Sequence, residues 1–195
     1  AGLIEEARHE GRRLLSALSP WVVRGVPIVG LEPSCLLTLR DELPAILPGE
    51  ESAGPLAEGS FLLDEFLLRE AEAGRAQLDL GPVDARTALV HTHCHQKALG
   101  REGATEMVLR QIPGLEVRTL PSGCCGMAGA FGYEAEHYDV SMAMGELGLL
   151  PAVRAAAVDT WVLAAGVSCR HQIGHGAQRS SITLAQALEA SLQCP

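Results

Sequence analysis

The segment Thr87-Ala88-Leu89-Val90-His91-Thr92 predicts a short buried β-strand, because it is largely apolar and contains β-branched residues that suit a strand. A helical pattern follows it from Lys97 to Gln111. The same order, a short strand and then a longer helix, recurs along the chain. Further strands are predicted at Val26 to Leu31, Leu115 to Leu120 and Thr160 to Ala165, and further helices at Glu134 to Leu149 and Ile182 to Leu192. This alternation predicts an α/β fold with a parallel sheet flanked by helices.

The first part of the chain adds more helices and a candidate linker. Apolar residues recur at helical spacing from Leu3 to Leu18, which predicts an amphipathic helix that ends before Pro20. After the first strand, a second helix is predicted to open at Ser34 or Cys35 and to run to Leu43. Residues 48–59 are rich in Gly, Pro, Ser and Glu, which predicts a loop or linker. Helical periodicity returns from Phe61 to Ala73.

The composition excludes several classes of protein. The chain has 195 residues, of which 47% are hydrophobic, and this is enough to form a folded core. Its formal charge is −9 and Lys97 is its only lysine, so we expect no basic surface that binds nucleic acid. No apolar run is long enough to span a membrane, and no signal-peptide pattern is present. Helical sequence starts at Ala1 without a Met or leader, so we expect an intracellular piece of a longer protein.

Five of the six cysteines follow predicted strands. They are Cys35, Cys94, Cys124, Cys125 and Cys169. The carboxyl ends of parallel strands lie along one edge of a sheet, so these sulfurs can converge there although they are far apart in the sequence. A helix N-terminus also favours the thiolate, which is the form that binds metals. In an intracellular protein this pattern is more typical of metal ligands or redox thiols than of disulfides.

The alternative for each cysteine alone is a structural one. A single cysteine at a strand end is more often a small buried apolar residue than a ligand, but this does not account for five together. The adjacent pair Cys124-Cys125 is the strongest signal, since the glycines at 123, 126 and 129 give the freedom that two neighbouring sulfurs need to face one site. Cys194 lacks such a context and is predicted not to be a ligand.

Three histidines alternate around Cys94, at positions 91, 93 and 95. A zinc site built from them would require the strand to continue, but a helical pattern begins soon afterwards, so we expect the alternation to end near Thr92. Ordinary hydrogen-bonded roles are the default expectation for the histidines. His95 and His171 are the best candidates for a histidine ligand.

Longer stretches resemble one family. They are Gly30-Leu31-Glu32-Pro33-Ser34-Cys35-Leu36-Leu37-Thr38, His91-Thr92-His93-Cys94-His95-Gln96-Lys97-Ala98-Leu99, Ser122-Gly123-Cys124-Cys125-Gly126-Met127-Ala128-Gly129 and Phe131-Gly132-Tyr133-Glu134-Ala135-Glu136-His137-Tyr138. They resemble the cysteine-rich CCG domain found in heterodisulfide reductase and in the iron-sulfur subunit of glycolate oxidase. They also resemble the C-terminal region of bacterial proteins that fuse a FAD-linked 2-hydroxyacid dehydrogenase to an iron-sulfur oxidoreductase.

The resemblance implies a Rossmann-like CCG-domain architecture with units in tandem. Residues 1–47 would be the end of a first CCG unit, 48–80 a linker and helix, and 81–195 a second CCG unit. The ligands in the second unit would be Cys94, Cys124, Cys125 and Cys169, with Cys35 closing the first unit and His95 or His171 as a further metal ligand. The family's closing Cys-x-x-Cys is Cys169-Arg170-His171-Gln172 here. This departure disfavours a cluster of five thiolates, whereas four suit a [4Fe-4S] cluster or, as the alternative, zinc.

The resemblance also implies an electron-transfer module. FAD in an absent part of the parent protein would oxidise a D-2-hydroxy acid such as D-lactate, glycolate or D-2-hydroxyglutarate, and clusters would pass the electrons to a quinone or cytochrome. The expected partners are the FAD-dehydrogenase and ferredoxin-like portions of the parent, and the piece alone is not expected to be catalytic. The expected location is the cytoplasm, with peripheral association at the inner membrane face left open. The alternatives are a structural zinc module and a thiol-disulfide oxidoreductase that uses Cys124 and Cys125 without metal.

Overall fold

The computed structural model describes residues 2–193, and the chain divides after Phe66 into two compact units. Both units combine short parallel strands with helices. The predicted α/β class, a parallel sheet flanked by helices, is therefore confirmed. Among the described residues, no helix is both long and apolar enough to cross a membrane.

The first unit is built around a pair of parallel strands. Its elements are α1 (Ile4–Val23), β1 (Ile28–Gly30), α2 (Pro33–Arg40), α3 (Glu42–Ile46), α4 (Ala53–Glu58), β2 (Ser60–Leu62) and the start of α5 (Leu63–Glu72). Ile28 pairs with Ser60, and Gly30 pairs with Leu62. Helix α1 continues through Pro20, and backbone N–H groups of Arg24 and Gly25 close its end by donating to the carbonyls of Trp21 and Val22.

The predicted loop at residues 48–59 is wrong in part, because it contains α4. Pro55 lies in the first turn of α4, where a backbone N–H has no partner within the helix and is not missed. Leu56 anchors this helix in the core with no exposed surface, and its carbonyl accepts a hydrogen bond of 2.7 Å from the Ser60 hydroxyl. The short strand β2, which the helical pattern from Phe61 had concealed, starts at that serine.

The second unit contains a sheet of three parallel strands in the order β4-β3-β5. Its elements are β3 (Thr87–His91), α6 (Cys94–Ala98), α7 (Ala104–Leu109), β4 (Glu116–Thr119), α8 (Tyr138–Glu146), α9 (Leu149–Ala155), β5 (Trp161–Ala164), α10 (Val167–Ala177) and α11 (Leu184–Ser191), with 3₁₀ turns at Phe131–Tyr133 and Ala135–His137. The central strand β3 is buried from Ala88 to His91. The predicted strands are confirmed and each is one to three residues shorter than predicted.

Two predicted helices of the second unit are interrupted, as is the helix predicted from Ser34 or Cys35 to Leu43, which is divided at Asp41 into α2 and α3. The pattern from Lys97 to Gln111 forms α6 and α7, separated by a segment in which Gly100 and Gly103 have φ of +64° and +92°. These angles are not helical, and glycine adopts them without strain. The pattern from Glu134 to Leu149 begins with a 3₁₀ turn, and α8 ends at Glu146 before α9 begins. The first of these interruptions makes α6 a helix of five residues directly after β3.

Candidate metal centre

Four predicted ligands come together at the carboxyl edge of the three-stranded sheet. Cys94 is the first residue of α6, Cys124 and Cys125 lie in the loop after β4, and Cys169 is in the first turn of α10. Their sulfurs lie close to one another in series, Cys94 beside Cys124, Cys124 beside Cys125 and Cys125 beside Cys169. Cys125 and Cys169 are buried, whereas Cys94 and Cys124 are partly exposed. The convergence expected from the strand ends is therefore present.

The residues around Cys94 fix the start of α6. His93 is the N-cap, and its Nδ1 accepts a hydrogen bond of 3.2 Å from the backbone N–H of His95. In return, the Gln96 side chain accepts a bond of 3.3 Å from the His93 backbone N–H, which completes a capping box. Cys94 is thus held at a helix N-terminus directly beyond β3.

The Cys124-Cys125 pair depends on a turn at Gly126. This residue has φ of +99°, and a Cβ added to it would lie 2.1 Å from the carbonyl oxygen of Ser141. The Gly126 backbone N–H donates to the Cys124 sulfur at 3.4 Å. The Ser141 carbonyl is itself held by the side-chain amide of Gln172, which donates to it at 3.0 Å. Gln172 stands where the resemblance would place a fifth cysteine, and it joins α10 to α8 instead.

Cys169 is brought close to the sheet by a second glycine. Gly166 precedes α10, and a Cβ there would lie 2.6 Å from the His93 ring and 3.2 Å from the Cys169 sulfur. Arg170 also holds this helix start, because its guanidinium donates to the carbonyls of Ala164 and Ala165 at 3.1 Å and 2.6 Å. The end of β5 and the first turn of α10 are thereby joined.

The hydrogen bonds divide the thiols into donors and acceptors. Bonds from the thiols of Cys125 and then Cys94 hold the pKa of Cys124 well below its ordinary range. The pKa of Cys94 is raised first by its hydrogen bond to Cys124 and then by its partial burial. The pKa of Cys125 is raised by its hydrogen bonds with Cys124 and Cys169 and then by burial. The bond from Cys125 lowers the pKa of Cys169 to about 5, against the effect of burial. Cys125 has a single S–H proton and can donate it fully to only one of these sulfurs at a time, so the hydrogen bonds favour the thiolate at Cys124 first. The thiolate is the form that binds metals.

One histidine lies with the cysteines, and it is neither of the two expected. A ring nitrogen of His91 and the sulfurs of Cys125 and Cys169 all lie within 4.8 Å of one another. The His91 ring helps to lower the pKa of Cys169, although its Nε2 does not meet the geometry of a full hydrogen bond. His91 is the last residue of β3, and the sequence analysis did not select it. Its place near the end of the predicted strand Thr87 to Thr92 is the one signal that could have found it.

The other predicted residues lie elsewhere. His171 is exposed on α10, and its Nδ1 is hydrogen-bonded to the Tyr133 hydroxyl. His95 is the second residue of α6 and is partly buried. Cys35 lies in the first unit at the start of α2, where burial and a hydrogen bond to the Glu32 carboxylate raise its pKa. Cys194 lies outside the described residues.

The donor set fits a thiolate-bound metal. Four sulfurs and one imidazole nitrogen meet in one region, and its inner part is apolar because Met127, Leu149 and Ile173 pack in the same buried cluster as Cys125 and Cys169. Thiolates bind iron in iron-sulfur clusters and also bind zinc, and imidazole is a ligand of both metals. The ligands could therefore be Cys94, Cys124, Cys125 and Cys169, with His91 beside them.

The chain is similar to a dehydrogenase subunit, to a dehydrogenase and to a lactate utilization protein. It is 33% identical over 145 residues to one of the subunits of the anaerobic glycerol-3-phosphate dehydrogenase of Escherichia coli (strain K12), which is 74% of this chain and 36% of that protein. It is 28% identical over 176 residues to the D-2-hydroxyglutarate dehydrogenase of the same strain, or 88% of this chain and 16% of that enzyme. It is 28% identical over 138 residues to lactate utilization protein A of Bacillus velezensis, or 67% of this chain and 54% of that protein.

These homologues are consistent with a CCG-type domain of an oxidoreductase. The matched region spans 36% and 16% of the first two relatives' own length, so it corresponds to a part of them. No family model matches the chain. No solved structure matches it either.

Proposed function

We propose that this chain is the iron-sulfur electron-transfer module of a FAD-linked oxidoreductase that oxidises a D-2-hydroxy acid. The observation that carries the proposal is the convergence of four cysteines at the carboxyl edge of one sheet. Cys94, Cys124, Cys125 and Cys169 would hold a [4Fe-4S] cluster, which when bound supplies one-electron transfer. Residues 81–195 would form this CCG unit, and residues 1–47, with Cys35, the end of another.

The names of the relatives support the substrate class. D-2-hydroxyglutarate dehydrogenase is named for a D-2-hydroxy acid, and lactate, in the name of a second relative, is also a 2-hydroxy acid. D-lactate, glycolate and D-2-hydroxyglutarate are therefore the proposed substrates of the whole oxidoreductase. Its FAD-dehydrogenase and ferredoxin-like portions would deliver the electrons, and a quinone or cytochrome would accept them.

The burial of the ligands suits electron transfer. Cys125 and Cys169 are 2% and 1% exposed, so the protein excludes water from one side of the site. Cys94 and Cys124 are partly exposed and leave the other side accessible. Because burial and hydrogen bonds to sulfur set the reduction potential of a cluster, the Gly126 N–H bond to Cys124 would contribute to it. Electrons would enter and leave through the exposed side.

A structural zinc site is the second candidate, and the grouping of three donor atoms favours it. With zinc-sulfur bonds of about 2.3 Å, ligand atoms of a tetrahedral zinc site lie roughly 3.8 Å apart. The donor atoms of His91, Cys125 and Cys169 all lie within 4.8 Å of one another, which leaves room for a tetrahedral site of this size.

Anaerobic reconstitution followed by reduction tests the proposal. The chain would be incubated with iron and sulfide, desalted and reduced, and its EPR and visible spectra recorded. We expect a cluster signal that appears on one-electron reduction and returns to silence on reoxidation. Zinc uptake without iron uptake would contradict the electron-transfer proposal and favour a structural zinc site. Disulfide exchange catalysed by metal-free protein in the presence of chelator would favour a thiol-disulfide oxidoreductase over both the electron-transfer module and the zinc site.

A further inference from the structure

We propose that His91 is a ligand of the metal centre through Nε2 and that Ser122 orients its ring. The inference deepens the proposed function, since it rests on the presence of a metal at the cysteine site. It adds a nitrogen donor beside the four thiolates, in place of the histidines at positions 95 and 171. In a [4Fe-4S] cluster one iron would bind His91 as well as its thiolate, whereas a tetrahedral zinc ion would bind His91 with three of the thiolates.

The His91 ring is buried, and only one of its two nitrogens has a hydrogen-bond partner. The residue is 2% exposed, and its Nδ1 lies 2.8 Å from the Ser122 hydroxyl oxygen. Its Nε2 is also buried and has no hydrogen-bond partner among the described residues. A buried polar atom without a partner is unfavourable, so the unpaired nitrogen indicates that a bound group interacts with it.

The position of the ring identifies that occupant. One ring nitrogen lies within 4.8 Å of the sulfurs of Cys125 and Cys169, which are themselves buried. Nδ1 is engaged by Ser122, so Nε2 is the nitrogen available to a metal bound by these sulfurs. A thiolate-bound iron or zinc ion would satisfy Nε2 and complete a mixed sulfur and nitrogen donor set.

Ser122 provides the second contact that ligand histidines require. A metal-bound histidine carries its proton on the other ring nitrogen and donates it to a neighbouring acceptor, which fixes the ring and its tautomer. The Ser122 hydroxyl oxygen can accept this proton from Nδ1. Ser122 is 8% exposed, and its carbonyl accepts a hydrogen bond from the Lys97 ammonium group. The serine is therefore held in place beside the ring.

The other nearby histidines have different surroundings. His93 uses its Nδ1 to cap α6, and His171 is exposed and bound to the Tyr133 hydroxyl. His171→Asn is therefore a matched control that removes a histidine from α10 without touching the buried ring.

Pulsed EPR on the reconstituted chain tests the inference. Protein labelled with ¹⁵N only at histidine is loaded with iron and sulfide and reduced. We expect a ¹⁵N hyperfine coupling in the wild type and in His171→Asn, and its loss in His91→Gln. If the chain takes up zinc instead, X-ray absorption should give one nitrogen ligand beside sulfur, and Ser122→Ala should bind zinc roughly 10 to 100 times more weakly.

The outcomes separate this inference from the proposed function. A loaded wild type without histidine coupling or a nitrogen ligand overturns the role of His91 and leaves the cysteine centre standing. A ¹⁵N coupling that persists in His91→Gln also overturns the role of His91 and leaves the cysteine centre standing. His91→Gln could fail to fold, as judged by circular dichroism. In that case the wild type is compared with three variants, His95→Asn, His93→Asn and His171→Asn. Loss of the ¹⁵N coupling in any of these three variants contradicts the assignment of His91 as the ligand. A chain that takes up neither iron nor zinc overturns both proposals.

Discussion

Gly126 shows how strongly a single residue can determine the shape of the site. Its backbone φ of +99° is one that L-residues with a side chain rarely adopt. The Ser141 carbonyl oxygen also occupies the space that a Cβ would need. The glycine therefore permits both the turn after the cysteine pair and the close approach of α8. The hydrogen bond from its N–H to Cys124 follows from the same turn.

We expect Gly126→Ala to lower the free energy of unfolding by about 2 kcal/mol or more, because it adds a steric clash to the cost of the unusual φ. Gly129→Ala is the matched control, since Gly129 has φ of +68° but open space around its Cβ position. It should cost about 1 kcal/mol. Urea denaturation measures both. Equal losses in the two variants would show that contact with Ser141 is unimportant.

The same scale shows what the sequence does and does not reveal about the site. The cysteines were predictable, because each follows an apolar segment and strand ends of a parallel sheet share one edge. His91 was not selected, because three alternating histidines look alike in sequence. Only the structure shows that one of them ends the strand with its Nε2 buried and unpaired, while another caps a helix.

At the scale of elements, α10 is the part that must be positioned for Cys169 to reach the other sulfurs. Arg170, next to that cysteine, donates two hydrogen bonds to the carbonyls at the end of β5. Its guanidinium therefore joins a strand end to the helix start that carries a proposed ligand. Gln172 makes the corresponding contact to α8 from the same helix.

Arg170→Ala is expected to cost about 1–3 kcal/mol of unfolding free energy, because two carbonyls lose a charged donor. Arg118→Ala is the comparison, since Arg118 is exposed on β4 and pairs only with Glu116 among the described contacts. It should change stability by less than about 0.5 kcal/mol. Chemical denaturation followed by circular dichroism gives both values. A loss below that of Arg118→Ala would contradict a joining role for Arg170.

The prediction of elements succeeded for the apolar strands, and it failed in part for the helices and for the shortest elements. The four predicted strands were recognisable as apolar runs between helical patterns. Strand β2 has three residues and continues directly into α5, so the helical period concealed it. Helix α4 was missed because Gly54 and Pro55 suggested a loop, whereas the burial of Leu56 stabilises a short helix there. Tertiary burial overrides local composition in such cases.

At the scale of the whole molecule, metal binding should be linked to stability. The proposed ligands come from three separate segments of the second unit, so they form a site only when that unit is folded. A metal that binds the folded site and not the unfolded chain adds its binding free energy to the stability of that unit.

The tryptophans allow this linkage to be measured, since Trp21 lies in α1 and Trp161 in β5. In a Trp21→Phe variant the fluorescence reports on the second unit through Trp161. At a free metal concentration about 100 times the dissociation constant, we expect the unfolding free energy to rise by about 2.7 kcal/mol. Chelation should reverse the increase, and Cys124→Ser should abolish it. An unchanged unfolding curve for loaded protein would exclude a site formed by folding.

The central claim is that Cys94, Cys124, Cys125 and Cys169 hold one metal centre. The most direct test is the iron and sulfide content of the anaerobically reconstituted chain, compared with the four single Cys→Ser variants and with Cys35→Ser as the control. We predict about four irons and four sulfides in the wild type and in Cys35→Ser, and a clear loss in each of the other four variants. Full iron and sulfide content in all four of those variants would contradict the account.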